Sequence, residues 1–215
     1  IYAYAMQKGI EIKPAKFRKS QGKYTYSKKD KSIYKGLLSI KFMNENISEE
    51  LYKLGKNYYN DFVDLLVDIV EKTSCNSRQI ETLIKLNFFD EFGKNKRLLT
   101  IYEKFKDRYK KTHIEKTKRE RIKEIKNYAK TIKDESLPIH EQIMIEKEML
   151  GYGETKFSEI DESYNLVIEI DKKYSPKITV YNLKNGNEST IKMSKSRFYD
   201  NYENQLFDVG DVIRI

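Results

Sequence analysis

Hydrophobic positions along this chain follow one period up to about residue 150 and another beyond it. After a mixed entry, the apolar residues recur at helical spacing. Ile47, Leu51 and Leu54 share one stripe, and Phe62, Leu65, Leu66 and Ile69 share a second. Ile80, Leu83 and Ile84 form a third, which runs into Phe88, Phe89 and Phe92 and stops at Gly93. Leu98, Tyr102, Phe105 and Tyr109 keep one face, and Ile122, Ile125, Ala129 and Ile132 keep another. Asn46 is the expected cap of the first of these helices, and Ser74 or Asn76 that of the third. Between Lys110 and Arg121 only Ile114 is aliphatic, which predicts an exposed bridge, a break or a hairpin. Pro138 marks a stop and restart before a short helix bearing Ile143, Met144, Met149 and Leu150.

In the entry segment the pattern alternates. Ile10 and Ile12, then Tyr24 and Tyr26, then Ile33 and Tyr34 predict a small β-ribbon. From Lys156 onward the period of two returns. Leu166, Ile168 and Ile170 alternate, as do Ile178 and Val180. Asn185-Gly186 is a strong hairpin signal between this strand and the one at Thr190 to Met193. Ser196 to Tyr202 predicts a short helix, and Val212 to Ile215 a last strand. Strand, strand, strand, helix, strand is the order of an OB-fold lacking its final strand. The expected class is α+β. Residues 1–151 should hold the β-ribbon and the helical domain, and residues 152–215 a partly truncated OB-fold barrel.

Composition narrows the partners. Of 215 residues, 42 are Lys or Arg and 33 Asp or Glu, for a net charge of +9. Such an excess favours a polyanion, although a merely soluble Lys-rich protein has it too. The single cysteine, Cys75, excludes an internal disulfide and fits a reducing cytoplasm. No apolar run reaches membrane-span length, so no membrane partner is expected. His113 and His140 lack metal-ligand spacing and are expected at the surface. No Asp-x-Asp pair suited to metal-dependent nucleotidyl transfer is present. The chain begins at Ile1 and stops at Ile215 inside a predicted strand, so a fragment of a longer protein is expected.

Four segments carry a resemblance. They are Gly9-Ile10-Glu11-Ile12-Lys13-Pro14 with a later Ser20, Gly36-Leu37-Leu38-Ser39-Ile40-Lys41, Glu81-Thr82-Leu83-Ile84 leading to Phe89-Asp90-Glu91-Phe92-Gly93, and Glu146-Lys147-Glu148-Met149-Leu150-Gly151-Tyr152. In this order they resemble the region C-terminal to the fingers of bacterial or phage DNA polymerase III alpha subunits. That resemblance implies tandem helix-hairpin-helix units gripping duplex DNA, then an OB domain near the single-stranded template. It implies a nucleotidyltransferase parent whose catalytic centre and Mg lie in a palm domain outside these residues. The fragment itself is expected to be inactive and to carry no cofactor. Implied partners are DNA and a sliding clamp or other replisome proteins. The chain departs from the family where a Gly-x-Gly hairpin gives way to Phe42-Met43-Asn44, where Asn87-Phe88 replaces Gly-Ala, and where no Ser-Gly-His-Pro string follows Tyr152.

On this reading the first hairpin offers backbone N–H groups to a phosphate through Ser39, Lys41, Phe42, Met43 and Asn44, with Lys35 adding charge. The basic run, chiefly Lys110, Lys111, Lys118, Arg119 and Arg121, either lies along the DNA backbone or is a solvated face laced with Glu115, Glu120 and Glu124. Tyr164, Tyr174, Lys177 and Tyr181 are the candidates for stacking and holding a single strand. The alternative from another class is a replisome protein-interaction scaffold that binds nucleic acid weakly.

Overall fold

The computed structural model describes residues 2–200 and 204–215. The chain is α+β and divides into two compact units, residues 1–137 and 138–215.

The first unit opens with helix α1 (Tyr2–Gln7) and a three-stranded sheet. Its strands β1 (Glu11–Lys13), β2 (Thr25–Ser27) and β3 (Ser32–Tyr34) lie in the order β1-β3-β2. Strand β1 runs parallel to β3, and β2 runs antiparallel to it. A 3-10 turn (Leu37–Ser39) leads to α2 (Glu45–Leu54), α3 (Phe62–Lys72) and α4 (Ser77–Lys85). A second 3-10 turn (Asp90–Phe92) precedes α5 (Asn95–Arg108), and α6 (Glu115–Thr131) follows. The predicted stripes of the first three helices are buried: Ile47, Leu51 and Leu54 on α2, Leu65, Leu66 and Ile69 on α3, and Ile80, Leu83 and Ile84 on α4, whereas Ile122 and Ile132 of the α6 stripe are only half-buried.

Local chemistry sets the helix starts. Asp61 caps α3 and Asn76 caps α4, the latter in a reciprocal capping box with Gln79. The cap of α2 is Asn44, whose side chain accepts from the Ile47 N–H at 3.0 Å. Asn46 was the expected cap. It sits instead inside the first turn and donates to Glu50 and Ser74. Both asparagines precede the same apolar stripe, and the earlier one wins because the hairpin before it is tight. The break expected within Lys110 to Arg121 falls between α5 and α6.

Helix α4 ends at Lys85, not at the expected Gly93, because Asn87 takes the left-handed conformation, and the aromatic segment after it becomes the centre of this unit. Phe88 and Phe89 are buried, and Phe17 from the entry segment packs on both at 6.0 and 5.6 Å between ring centroids. Phe62 at the start of α3 closes on Phe89 and Phe92. Rings of this size dominate core burial.

The second unit starts with α7 (Ile139–Leu150), one helix earlier than the boundary near residue 152. The reason is packing: Ile143 of α7 is buried against Leu166, Ile168, Tyr181 and Leu183. Strands β4 (Tyr164–Asp171), β5 (Lys177–Asn182), β6 (Glu188–Lys192) and β9 (Val212–Arg214) form an antiparallel sheet in the order β6-β5-β4-β9. The Asn185-Gly186 turn does join β5 to β6. A short helix α8 (Lys195–Phe198) and a two-stranded ribbon, β7 (Tyr199–Asp200) with β8 (Asn204–Gln205), lie between β6 and β9. The helix expected over Ser196 to Tyr202 thus ends at Phe198, and its last two positions fall outside the described residues. Among the described residues the sheet is open rather than closed into a barrel.

The three alternating residues of β4 do not share a face. The pairing shifts between Val167 and Glu169, leaving Ile168 bulged. That extra residue turns Ile170 to the other face, where it joins Val167, Ile178, Val180 and Phe198. Both faces of the sheet are therefore covered within this unit.

Candidate nucleic-acid interface

The first hairpin runs from Gly36 to Asn44. Gly36 is needed for space: a Cβ there would stand 2.2 Å from the Gly22 carbonyl oxygen and 2.5 Å from the Lys23 carbonyl carbon. This close approach lets Leu37 and Leu38 donate to the carbonyls of Gln21 and Gly22. The 3-10 turn then closes through Ile40 N–H to Leu37 O, and Met43 N–H reaches Ile40 O. Ser39 is exposed, and its hydroxyl donates to Gly36 O at 2.7 Å.

At the tip, Phe42 has φ of +69°. A bulky side chain in this region costs about 1–2 kcal/mol. Two contacts from α4 hold it there. Gln79 Nε2 donates to Phe42 O at 2.7 Å, and the Arg78 guanidinium lies 3.7 Å from the ring centroid. The ring remains 43% exposed. Beyond it, Asn44 spends its side chain on capping α2. The backbone N–H groups of Lys41, Phe42 and Asn44 have no acceptor among the described residues. Lys41 is exposed and makes no ion pair among the described residues. Three unpaired amides beside an exposed cation form a surface that can receive an anionic oxygen.

The second hairpin differs. Asn87 takes φ of +56°, as its tolerance of the left-handed region allows. Gly93 takes +136°. Here the amides already have partners. Phe88 N–H reaches Leu83 O, Gly93 N–H reaches Asp90 O, and Lys94 N–H reaches the Asp134 carboxylate. The entry segment binds this hairpin too. Phe17 N–H donates to Phe88 O, Lys16 bonds to Asn87 O and Asp90, and Arg18 pairs with Glu91.

The remaining predicted residues divide by their partners. Lys35 is buried at 6% exposure, its N–H on Lys13 O, so it is not a surface cation. Lys118 and Tyr109 both bond Glu71, and Lys111 reaches the Glu71 carbonyl. The Lys118 ammonium, then the Tyr109 hydroxyl, hold the Glu71 carboxyl below its usual range. Arg108 and Arg121 both donate to Glu124, at 2.8 and 2.9 Å, and pull its pKa down to about 2. Lys110, Lys116, Arg119 and Lys123 are exposed and make no ion pair among the described residues. Arg108, Lys118 and Arg121 of the basic run are therefore neutralised within their own unit.

In the second unit Tyr174 is 78% exposed with Lys173 over its ring, and Lys177 is exposed. Tyr164 is exposed beneath Arg214. Tyr181 is fully buried, its hydroxyl on Thr155 O at 2.8 Å, and burial pushes its pKa up to about 12. A ring packed in the core cannot stack on a base, so Tyr181 leaves the candidate set. In the sheet Tyr181 pairs with buried Leu166 across β4 and β5.

Three side chains sort outside the interface. Cys75 is buried, and that burial pushes its thiol up to about 12, so it is no nucleophile at neutral pH. His113 and His140 were expected at the surface and are half-buried. His113 Nδ1 is buried without a partner, and His140 lies under Gly210. Among the described residues no three His, Cys, Asp or Glu side chains are placed to hold a metal ion. No helix among them is long and apolar enough to cross a membrane.

A family model described as the helix-hairpin-helix motif matches residues 9–99. The match covers the small sheet, both hairpins and the first turn of α5, and stops short of α6 and the second unit. Sequence reasoning missed the 40-residue reach of Asp134 to Lys94, because no local spacing announces it.

Proposed function

We propose that the first unit grips duplex DNA, with the first hairpin taking a backbone phosphate and exposed lysines adding charge. The helix-hairpin-helix match over residues 9–99 supports nucleic-acid binding, and one observation carries the site. The amides of Lys41, Phe42 and Asn44 have no acceptor among the described residues, at an exposed tip where a phosphate oxygen would satisfy them. On the same reading the chain is the DNA-binding portion of a replicative polymerase of the polymerase III alpha type, the nucleotidyl-transfer centre and its Mg lying in the parent's palm. The second unit is read as an OB-like module. Its support is the pairing of β4 with both β5 and β9, with a short helix between β6 and β9.

Fluorescence anisotropy of the full chain on a 20-base-pair duplex over a salt series tests the grip. Each phosphate contact steepens the log–log salt slope by about 0.9. Lys41→Glu should weaken binding several-fold and flatten the slope by about one contact. Unchanged affinity and slope would remove the hairpin from the interface.

A second reading has its own support. Glu71 and Glu124 neutralise Lys118, Arg108 and Arg121 within the unit, which suits a protein-docking scaffold better than a cationic track. Binding that is weak and insensitive to salt would favour it.

A further inference from the structure

The chain's positive charge is concentrated in one stretch. Residues 15–44 hold nine Lys or Arg and a single acid, Asp30, so they carry eight of the chain's nine net positive charges. This stretch runs from the entry segment through β2 and β3 into the first hairpin. Four of its cations are taken up inside the unit. Lys16, Arg18 and Lys19 pair with Asp90, Glu91 and Asp30, and Lys35 is buried. Lys23, Lys28, Lys29, Lys31 and Lys41 are exposed and make no ion pair among the described residues. Lys41 belongs to the hairpin, and the other four to β2's approach and the turn into β3.

That turn spends its one acid inward. Asp30 Oδ2 accepts from Lys19 Nζ at 2.9 Å, from Ser27 Oγ at 2.9 Å and from the Tyr34 hydroxyl at 3.0 Å. Lys19 first, then Ser27 and Tyr34, hold this carboxyl at about 2, so it stays ionised and occupied at neutral pH. The Asp30 backbone closes the turn through the Ser27 and Ser32 hydroxyls. Lys31 takes φ of +49°, a region that lysine seldom adopts. Lysines that only guard a strand edge need no such anchored turn. Along edge strand β2, Tyr24 and Tyr26 are 49% and 53% exposed, and tyrosine hydroxyls, like lysines, donate to backbone phosphates.

The ribbon is fixed to the first hairpin. Leu37 and Leu38 donate to Gln21 O and Gly22 O at 2.9 and 3.0 Å, and Gly36 packs on the backbone of Gly22 and Lys23. At about 3.3 Å per residue, the four steps from Tyr24 to Lys28 cover about 13 Å. That is the rise of about four base pairs, at about 3.4 Å each along one strand. A phosphate held at the turn is thus a different one from a phosphate held at the hairpin tip. We propose that the β2–β3 turn, through Lys28, Lys29 and Lys31, takes a second stretch of duplex backbone beyond the one at the first hairpin, with Lys23 between the two. This rests on the duplex-binding reading above and extends its footprint. The grip then has two separable parts, backbone amides at the hairpin and ammonium groups at the turn.

The test compares the full chain with Lys28→Gln/Lys29→Gln/Lys31→Gln on the same duplex over a salt series. Asp30 and its three bonds stay in place, and thermal melting confirms that the variant is folded. Lys192→Gln/Lys195→Gln/Arg197→Gln, at three exposed positions of the second unit, removes the same charge elsewhere. The turn variant should bind about tenfold more weakly, with a salt slope shallower by about two contacts. The matched variant should keep the wild-type slope. Adding Lys41→Glu to the turn variant should add its own loss, since the two parts take different phosphates. If the turn variant loses no more than the matched one, the lysines only guard the strand edge and the inference fails, while Lys41→Glu alone still decides the hairpin's grip. A loss confined to a dT oligonucleotide, with duplex binding unchanged, would overturn the duplex assignment. If the wild-type chain binds no duplex at any salt, both readings fail together.

Discussion

Gln79 donates its side-chain amide to the backbone carbonyl of Phe42 at 2.7 Å, while its oxygen accepts from the Asn76 N–H at 2.8 Å. One side chain thus closes the capping box of α4 and pins the strained tip of the first hairpin. The first hairpin is thus tied to α4 at the point where it turns.

Replacing Gln79 separates the two jobs. Gln79→Ala loses both bonds and should cost about 1–2 kcal/mol in urea unfolding. Gln79→Glu still accepts from Asn76 but cannot donate to Phe42, so its cost reports the tie to the hairpin. Equal stability of Gln79→Glu and wild type would mean that the tie contributes nothing.

Gly36 has ordinary extended dihedrals, so its requirement is room rather than conformational freedom. The atoms a Cβ would strike are backbone atoms of Gly22 and Lys23, which no rotamer change can move aside. Gly36→Ala should therefore destabilise by on the order of 2–4 kcal/mol. A melting temperature within a degree of wild type would show that the sheet and hairpin part easily.

Acid should loosen the helical unit within a defined window. Arg108 first, then Arg121, hold the Glu124 carboxyl at about 2, against 4.5 for an unperturbed one. A carboxyl whose folded pKa is depressed stabilises the fold fully above its unfolded value. That stability is lost as pH falls from 4.5 through about 2. Glu71, lowered by Lys118 and Tyr109, acts in the same direction. Melting temperature should thus drop across this range, and Glu124→Gln should drop less. Parallel curves for the two proteins would contradict the assignment.

The two tyrosines of the second unit should behave oppositely. Tyr181→Phe removes the bond to Thr155 O and should cost about 1 kcal/mol in stability. Tyr174→Ala should leave stability unchanged. If the sheet stacks single-stranded bases, the same change should weaken oligonucleotide binding by about 1–3 kcal/mol. Anisotropy on a dT oligonucleotide checks this, and unaltered binding by Tyr174→Ala would exclude stacking at that ring.

Much of this protein is legible in one dimension wherever the physics is local. The stripes on α2 to α5, the Asn76 cap and the Asn185-Gly186 hairpin all follow from spacing and turn chemistry within a few residues, whereas α4 ends at Lys85, before the left-handed Asn87, and not at Gly93. Local signals also mislead where two candidates compete. Asn44 and Asn46 are equal as caps in sequence, and only the tight 3-10 turn before Asn44 chooses between them. The bulge at Ile168 reverses the face of Ile170, an offset of one residue that alternation alone does not show.

Helical and strand periods, the α+β class and the basic surplus belong to the chain's own order of residues, because periodicity and composition need no partner in space. Which cations are spent on Glu71 and Glu124, which tyrosine is buried, and which hairpin keeps its amides open were settled by folding. Those outcomes hinge on groups 16 to 47 residues apart meeting at hydrogen-bond distance. A linear pattern carries no record of such meetings, since they follow from how whole helices pack.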